Sequence, residues 1–93
     1  MAIIYYIDNK VNWKGYVGCS KTPLSHRWGK HKYLLRHNLH SNKELQDEWN
    51  KYGEHSFSAF VIETCSDDKM LEREKYHINR LQTNIKGIGY NQR

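Results

Sequence analysis

Cysteine, proline and long hydrophobic runs are scarce in this 93-residue sequence, which has two cysteines and one proline. Cys19 and Cys65 stand apart without a Cys-x-x-Cys pair, which argues against a disulfide scaffold and against a structural zinc site. No apolar run approaches the roughly 18 residues of a membrane span, and the first residues lack the basic start of a signal peptide. We therefore expect a cytoplasmic protein without a membrane partner.

Acidic residues are missing from a long part of the chain. No Asp or Glu occurs from Asn9 to Lys43, a stretch that contains eight lysines and arginines and four histidines. Such a stretch can present a cationic surface to a polyanion such as nucleic acid. A solvated basic face without a partner accounts for the charge equally well.

The residues that are present predict a single α/β domain of the α+β type over residues 1–93. Hydrophobic residues make up 38% of the chain, enough for one modest core. Alternating Ile and Tyr predict a strand at Ile3–Ile7, which forms an antiparallel hairpin with Lys14–Gly18, and a third strand is expected at Phe57–Glu63. The order ββααβα predicts a small three-stranded antiparallel sheet flanked by helices.

Three helices are expected from capping residues and apolar spacing. Thr22 is a candidate cap for a helix at Pro23–Arg36, with proline in the favoured first position. Ser41 and Glu44 have the spacing of a capping box at the start of the second helix. The third helix is expected over residues 66–81, and the residues after it are expected to be irregular.

Glu74 is out of place in the pattern of the third helix. At about 100° per residue, it points into the middle of an apolar arc that is formed by Met70, Leu71, Ile78 and Leu81. An ionised carboxylate on an apolar face is costly unless it meets a cation or a metal. A glutamate at the rim of the core, paired with Lys or Arg, is the alternative.

Arg27 and His31 lie one helical turn apart, so their side chains can reach the same pocket. A guanidinium suits phosphate binding, although a surface arginine and a core histidine would fit the same pattern. Tyr5 and Tyr16 lie on the predicted hairpin, where tyrosine is common for packing reasons alone.

Together, these positions resemble the GIY-YIG endonuclease family. Ile3-Ile4-Tyr5, followed after ten residues by Tyr16-Val17-Gly18, is similar to the signature at its usual spacing. Arg27, His31, His40, Glu74 within Leu71-Glu72-Arg73-Glu74, and Asn91 within Gly89-Tyr90-Asn91 follow in the family's order. The segment from His40 to Gly53 is similar to that of phage and intron-encoded homing endonucleases.

The resemblance implies a metal-dependent DNA endonuclease with one divalent ion, Mg²⁺ or Mn²⁺, held by Glu74. It implies that Arg27 holds a phosphate oxygen and that Tyr5 is the base, with the choice between the two tyrosines left open. Tyr16 would then orient water or phosphate.

His31 would assist the base, and Asn91 would support the geometry of the site. We expect Lys21, Lys30 and His40 to contact DNA. The two phenols, the guanidinium and the acid should line one common cleft. Ile3 replaces the glycine usual in the family, and its side chain could crowd a neighbour.

Other functions are also compatible with the sequence. A basic nucleic-acid-binding module without catalysis, and a repair, restriction or branched-DNA nuclease on the same fold, remain alternatives. A zinc site built from His26, His31, His37 and His40 is disfavoured, because neither a cysteine pair nor an HExxH motif accompanies them. A monomer is favoured.

Overall fold

The computed structural model describes residues 1–92 as a three-stranded antiparallel sheet with helices on both faces. Strand β1 (Ala2–Asn9) lies at the centre, between β2 (Gly15–Ser20) and β3 (Phe57–Cys65). The helices are α1 (Leu24–Arg36), α2 (Lys43–Tyr52) and α3 (Met70–Leu81), and single 3₁₀ turns span Glu54–Ser56 and Asp67–Lys69. The predicted order and sheet are confirmed. Within residues 1–92, no helix is long and apolar enough to cross a membrane.

The alternation of side chains along β1 creates two apolar cores. Tyr5 and Ile7 point to the face that is covered by α1 and α2, where they join a cluster with Leu35, Leu45, Trp49, Phe57 and Tyr90. Ile4 points to the other face and packs with Val17 and Ile78 beneath α3. Burying a large aliphatic or aromatic side chain stabilises a fold by roughly 1.5–3 kcal/mol. The central strand therefore holds helices on both of its faces.

A β-bulge in β3 changes which side of the sheet its last residues face. Tyr5 pairs with Val61 and Ile4 pairs with Glu63, so Ile62 is an extra residue without a partner on β1. The extra residue shifts the alternation and turns Glu63 towards α3. There, one carboxylate oxygen of Glu63 lies 2.9 Å from Arg73 Nε, and the other lies 2.7 Å from His77 Nε2. The strand predicted from the sequence ended at Glu63 and did not include the bulge.

Two predicted helix caps are wrong. No side chain caps α1, because Pro23, predicted as its first residue, occupies the N-cap position, and the Thr22 hydroxyl is instead hydrogen-bonded to the Ser20 hydroxyl at 2.7 Å. Helix α2 is capped by Asn42, whose side chain accepts a hydrogen bond from the Leu45 backbone at 3.1 Å. Asparagine and serine cap about equally well, and a tertiary contact favours Asn42, whose side-chain amide donates to the Tyr90 carbonyl at 2.7 Å.

The second half of the expected capping box is also absent from the start of α2. Glu44 forms an ion pair with Lys14 rather than returning to the helix start. Helix α3 begins at Met70, after a 3₁₀ turn, and not at Ser66. Leu71, expected on the apolar face of α3, is 65% exposed.

The segment after α3 is irregular, as expected, but it is firmly attached to the hairpin. The Tyr90 backbone N–H donates to the Gly15 carbonyl at 2.8 Å, and the side chain of Tyr90 is fully buried. The Tyr90 hydroxyl donates to Glu48 at 2.6 Å, and Lys14 pairs with the same carboxylate at 2.6 Å. This buried polar network fixes the position of the next residue, Asn91.

Candidate active site

Tyr5, His31 and His40 form a continuous hydrogen-bonded chain on the α1 face of the sheet. The Tyr5 hydroxyl lies 2.6 Å from His31 Nε2, and His31 Nδ1 lies 2.8 Å from His40 Nε2. The two imidazole rings are stacked, with centroids 5.0 Å apart. Three residues that the sequence separates by up to 35 positions therefore meet in one cluster.

Tyr16 joins this cluster from the neighbouring strand. In the β1–β2 register, Tyr16 is paired with Ile7 and Gly18 is paired with Tyr5. Tyr16 and Tyr5 are therefore diagonal neighbours on one face, a distance that aromatic side chains can span. The rings of Tyr5 and Tyr16 both make edge contacts with His31, at centroid distances of 5.7 and 5.9 Å.

Arg27 adds the positive charge of the cluster. It lies one turn before His31 on α1, and its guanidinium is the cationic group beside the Tyr5 hydroxyl. Burial raises the pKa of Tyr5 well above its usual value, and Arg27 opposes that rise only in part. Tyr5 is therefore a neutral phenol at neutral pH.

Both histidines of the cluster are held in the neutral form. Burial, followed by the charges of Arg27 and of neighbouring residues, lowers the pKa of His31 to about 3. Burial and Arg27 also lower the pKa of His40. Desolvation and a nearby cation both disfavour an imidazolium ion. Of Tyr5, Tyr16, the two histidines and Arg27, only Arg27 therefore carries a full positive charge at neutral pH.

Asn91 completes the edge of the sheet beside Tyr16. Its side chain accepts a hydrogen bond from the Val17 backbone N–H at 2.8 Å and donates to the Val17 carbonyl at 2.9 Å. The adjoining surface is a depression of about 300 Å³, which we name the tyrosine hollow. Its lining consists of Tyr16, His40, Ser41, Asn42, Asn91 and Gln92.

Two residues that hold His40 in place were not predicted from the sequence. The Asn42 backbone N–H donates to His40 Nδ1 at 3.0 Å, and the Gln46 side chain accepts from the His40 backbone N–H at 3.1 Å. Gln46 is 5% exposed although it is polar. Buried polar side chains of this kind usually have fixed hydrogen-bond partners. In the sequence, the only signal was the position of Gln46 next to Leu45, at the edge of the apolar stripe.

Glu74 is buried, and its helix α3 covers the face of the sheet opposite to α1. Glu74 is 5% exposed and lines a depression of about 510 Å³, the Glu74 hollow. Ile78, one turn further along α3, packs with Val17 of the edge strand β2. The structure brings Tyr5, Tyr16, Arg27 and His31 together in one cluster, and Glu74 lines the Glu74 hollow beside Ile78 of α3.

The remaining predicted site residues, Lys21 and Lys30, line neither hollow. Lys21 follows β2 and Lys30 lies on α1, and both are solvent-exposed. Ile3, at the position of the usual glycine, is partly buried and packs against the core of the α1 face, so its side chain is accommodated. Across residues 1–92, no cluster of three or more His, Cys, Asp or Glu side chains has the arrangement of a metal site.

Known proteins match this chain over nearly its whole length. The family of the GIY-YIG catalytic domain matches residues 1–90. The chain is 36% identical over 86 residues to intron-associated endonuclease 1 of Enterobacteria phage T4, covering 90% of this chain and 34% of that protein. It thus spans about a third of the length of that relative.

Solved structures give the same result. A mutant of the catalytic domain of intron endonuclease I-TevI superposes with a TM-score of 0.89 at 34% identity, covering 100% of this chain and 95% of that one. The catalytic domain of homing endonuclease I-TevI superposes with a TM-score of 0.86 at 32% identity, covering 98% and 99% of the two chains. The chain belongs to the GIY-YIG family and has the fold of its endonuclease catalytic domain.

Proposed function

We propose that this domain hydrolyses phosphodiester bonds of DNA at the edge of the sheet formed by β2. The observation that carries the proposal is the convergence of Arg27, Tyr16, Tyr5 and His31 in one cluster, of which Tyr16 lines a solvent-facing hollow. A cation next to phenols, in a site from which water is partly excluded, suits an anionic phosphate ester. The names of the relatives, which are endonucleases, support the same reaction class.

Arg27 is the group that we assign to the phosphate. Within residues 1–92, no carboxylate forms an ion pair with its guanidinium, which lies beside a neutral phenol and a neutral imidazole. A guanidinium can donate two parallel hydrogen bonds to phosphate oxygens. As negative charge grows on those oxygens in the transition state, the attraction to Arg27 strengthens, which lowers the barrier.

The proton of the attacking water is assigned to Tyr16 rather than to Tyr5. A general base must lie within hydrogen-bond reach of the water. Tyr5 is 1% exposed, whereas Tyr16 is partly exposed and lines the tyrosine hollow. In this assignment, Tyr5 supports Arg27 and His31 from inside, and Asn91 holds the β2 backbone next to Tyr16.

Glu74 fits the role of a ligand for one divalent ion. Glu74 lines the Glu74 hollow together with Asn79 and Asn84. Magnesium at phosphate sites is often held by one or two carboxylates and several waters, so a larger cluster of ligands is not required. When bound, Mg²⁺ or Mn²⁺ would neutralise phosphate charge and stabilise the leaving oxygen.

The tyrosine hollow adjoins β2, and the Glu74 hollow lies on α3, the helix that packs against the other face of the same strand. Tyr16 points to one face of β2, and its neighbour Val17 packs towards α3 on the other. A DNA backbone laid along this edge could contact Arg27 and Tyr16 on one side and Glu74 on the other. Lys21 and Lys30 would add contacts to flanking phosphates, whereas both ring nitrogens of His40 are already hydrogen-bonded within the site.

A plasmid nicking assay tests the proposal. Supercoiled DNA is incubated with the protein in Mg²⁺ or Mn²⁺, and in parallel with a chelator. We expect nicked or linear product only with the metal. Salt-dependent DNA binding without any product would instead indicate a binding module on the same fold and would refute the proposed hydrolysis.

A further inference from the structure

The hydrogen-bonded chain that ends at Tyr5 starts at a backbone amide, and this first hydrogen bond can have only one direction. The Asn42 backbone N–H contacts His40 Nδ1 at 3.0 Å. A backbone amide can only donate, so Nδ1 of His40 must accept and cannot carry a proton. The neutral ring of His40 therefore carries its proton on Nε2.

The same rule fixes which ring nitrogen of the next residue, His31, carries the proton. His40 Nε2 lies 2.8 Å from His31 Nδ1, so the His40 proton is donated to that nitrogen. His31 Nδ1 is then an acceptor, and the neutral ring of His31 carries its proton on Nε2. Because His31 Nε2 lies 2.6 Å from the Tyr5 hydroxyl, His31 donates to the Tyr5 oxygen.

The opposite direction is excluded by the first link. If the Tyr5 hydroxyl donated to His31 Nε2, His31 would need a proton on Nδ1 and His40 would need a free Nε2. The proton of His40 would then lie on Nδ1 and face the Asn42 amide proton. An imidazolium form of either ring creates the same collision, and burial beside Arg27 disfavours that form independently.

We infer that the Asn42 amide sets the tautomers of His40 and His31, and that His31 is a positioning residue that donates to Tyr5 rather than the acceptor of its proton. With His31 donating, the Tyr5 oxygen is an acceptor on that side and the Tyr5 proton points away from His31. The importance of this arrangement for cleavage rests on the proposed function, but the arrangement itself does not.

The consequence concerns the route of protons in the site. His31 Nε2 is already protonated, so a proton leaving Tyr5 has no acceptor on His31 or His40. The hydrogen-bonded chain instead places three N–H donors in series behind Tyr5, and the phenol oxygen is held beside Arg27. His40 and His31 thus orient the Tyr5 side chain, which agrees with the assignment of the water proton to Tyr16.

Nitrogen NMR of the uniformly ¹⁵N-labelled protein tests the inference without DNA or metal. Long-range ¹H–¹⁵N correlations distinguish a protonated ring nitrogen from one with a lone pair. We expect His31 and His40 both to show a protonated Nε2 and an unprotonated Nδ1 at neutral pH. The exposed histidines His26 and His55, which lie outside this cluster, serve as references.

A protonated Nδ1 on either His31 or His40 in the wild-type spectrum would overturn the inference. Two variants test the roles of the Asn42 amide and of His40 separately. Asn42→Ala retains the backbone N–H, so both tautomers should persist, and their disappearance would contradict the assignment to the amide. His40→Ala removes the link, so His31 should exchange between tautomers, and an unchanged single tautomer of His31 would show that His40 does not set it.

The experiment is independent of catalysis. A protein that shows the expected tautomers but does not cut DNA would refute the proposed function and leave the hydrogen-bonded chain established. A protein that cuts DNA but carries a proton on His31 Nδ1 would refute the hydrogen-bonded chain and leave the proposed function standing.

Discussion

The phenol ring of Tyr5 lies directly across Gly18 on the neighbouring strand. A Cβ atom built on Gly18 would lie 2.3 Å from the Tyr5 Cζ atom and 2.4 Å from its hydroxyl oxygen. Such distances are far below van der Waals contact, so only glycine lets the ring cross β2 and reach His31. The glycine that ends the Tyr-Val-Gly motif therefore has a direct packing reason.

Gly18→Ala should destabilise the protein, because the ring of Tyr5 must move or the strands must separate. Overpacking of this kind typically costs about 1–3 kcal/mol. Gly29→Ala is the matched control, since a Cβ at that helical position meets nothing within 4 Å. Replacing a helical glycine with alanine should stabilise by roughly 0.5–1 kcal/mol. Chemical denaturation measures both changes, and equal stability of the two variants would contradict the packing account.

Arg27→Ala should slow DNA cleavage by about 10²–10³-fold, the usual decrease when a group that stabilises transition-state charge is removed. The melting temperature should change little, because Arg27 is partly exposed. Arg36→Ala, on the same helix and paired with Glu54 at the surface, should cut at the wild-type rate. Should Arg27→Ala lose activity only in parallel with unfolding, Arg27 would be structural.

The sequence alone predicts the main features of this molecule and misses those that depend on long-range contacts. Element order and the two faces of β1 follow from local alternation, and the burial of Glu74 follows from helical spacing. The bulge at Ile62 does not, because it depends on pairing with β1. The cap at Asn42 was not predicted because two good capping residues are adjacent, and tertiary contacts decide between them.

The ion pair between Lys14 and Glu44 shows the same limit. Glu44 has the spacing of a capping box, but a lysine 30 positions earlier lies within reach in the folded chain. Glu74 is an example from the site. Helical periodicity places its side chain on an apolar face of α3, but it does not say which side of the sheet that face covers. The resemblance to a family named the site residues, but the hydrogen-bonded chain through Tyr5, His31 and His40 depends on the folded structure.

The low pKa of His31 predicts a pH dependence of stability. In the folded protein the pKa is about 3, against 6.5 for an unperturbed histidine. Below pH 6.5 the unfolded chain gains a proton that the folded protein does not bind. The free energy of unfolding should therefore decrease as the pH falls through this range, by up to about 1.4 kcal/mol per pH unit for one such group.

His31→Gln removes this titrating group and should reduce the slope between pH 6.5 and 5, where carboxylates contribute little. Urea denaturation at several pH values measures the slope. His26→Gln, at an exposed position of the same helix, is the control and should leave the slope unchanged. Identical slopes for wild type and His31→Gln would mean that His31 binds protons equally in the folded and unfolded states, which contradicts its lowered pKa.

Lys21 and Lys30 should contribute to DNA binding by neutralising phosphates. Neutralising either lysine should reduce the slope of log affinity against log salt concentration by about 0.9, the value for one phosphate. We expect Lys21→Gln and Lys30→Gln to show this reduction in a fluorescence binding titration. Lys51→Gln should not reduce the slope, because Lys51 lies about 13 Å along α2 from Asn42, which lines the tyrosine hollow. A slope that none of the three variants alters would place the DNA on another surface.

The most direct test of the account is plasmid digestion by Glu74→Gln beside Glu72→Gln in the presence of Mg²⁺ or Mn²⁺. Glu72 is exposed on the first turn of α3, so its variant should cut like the wild type. Glu74→Gln replaces the buried carboxylate with an amide of the same shape, and we expect it to fold and bind DNA but not to cut. Cleavage at the wild-type rate by pure Glu74→Gln would contradict the assignment of the metal to this residue.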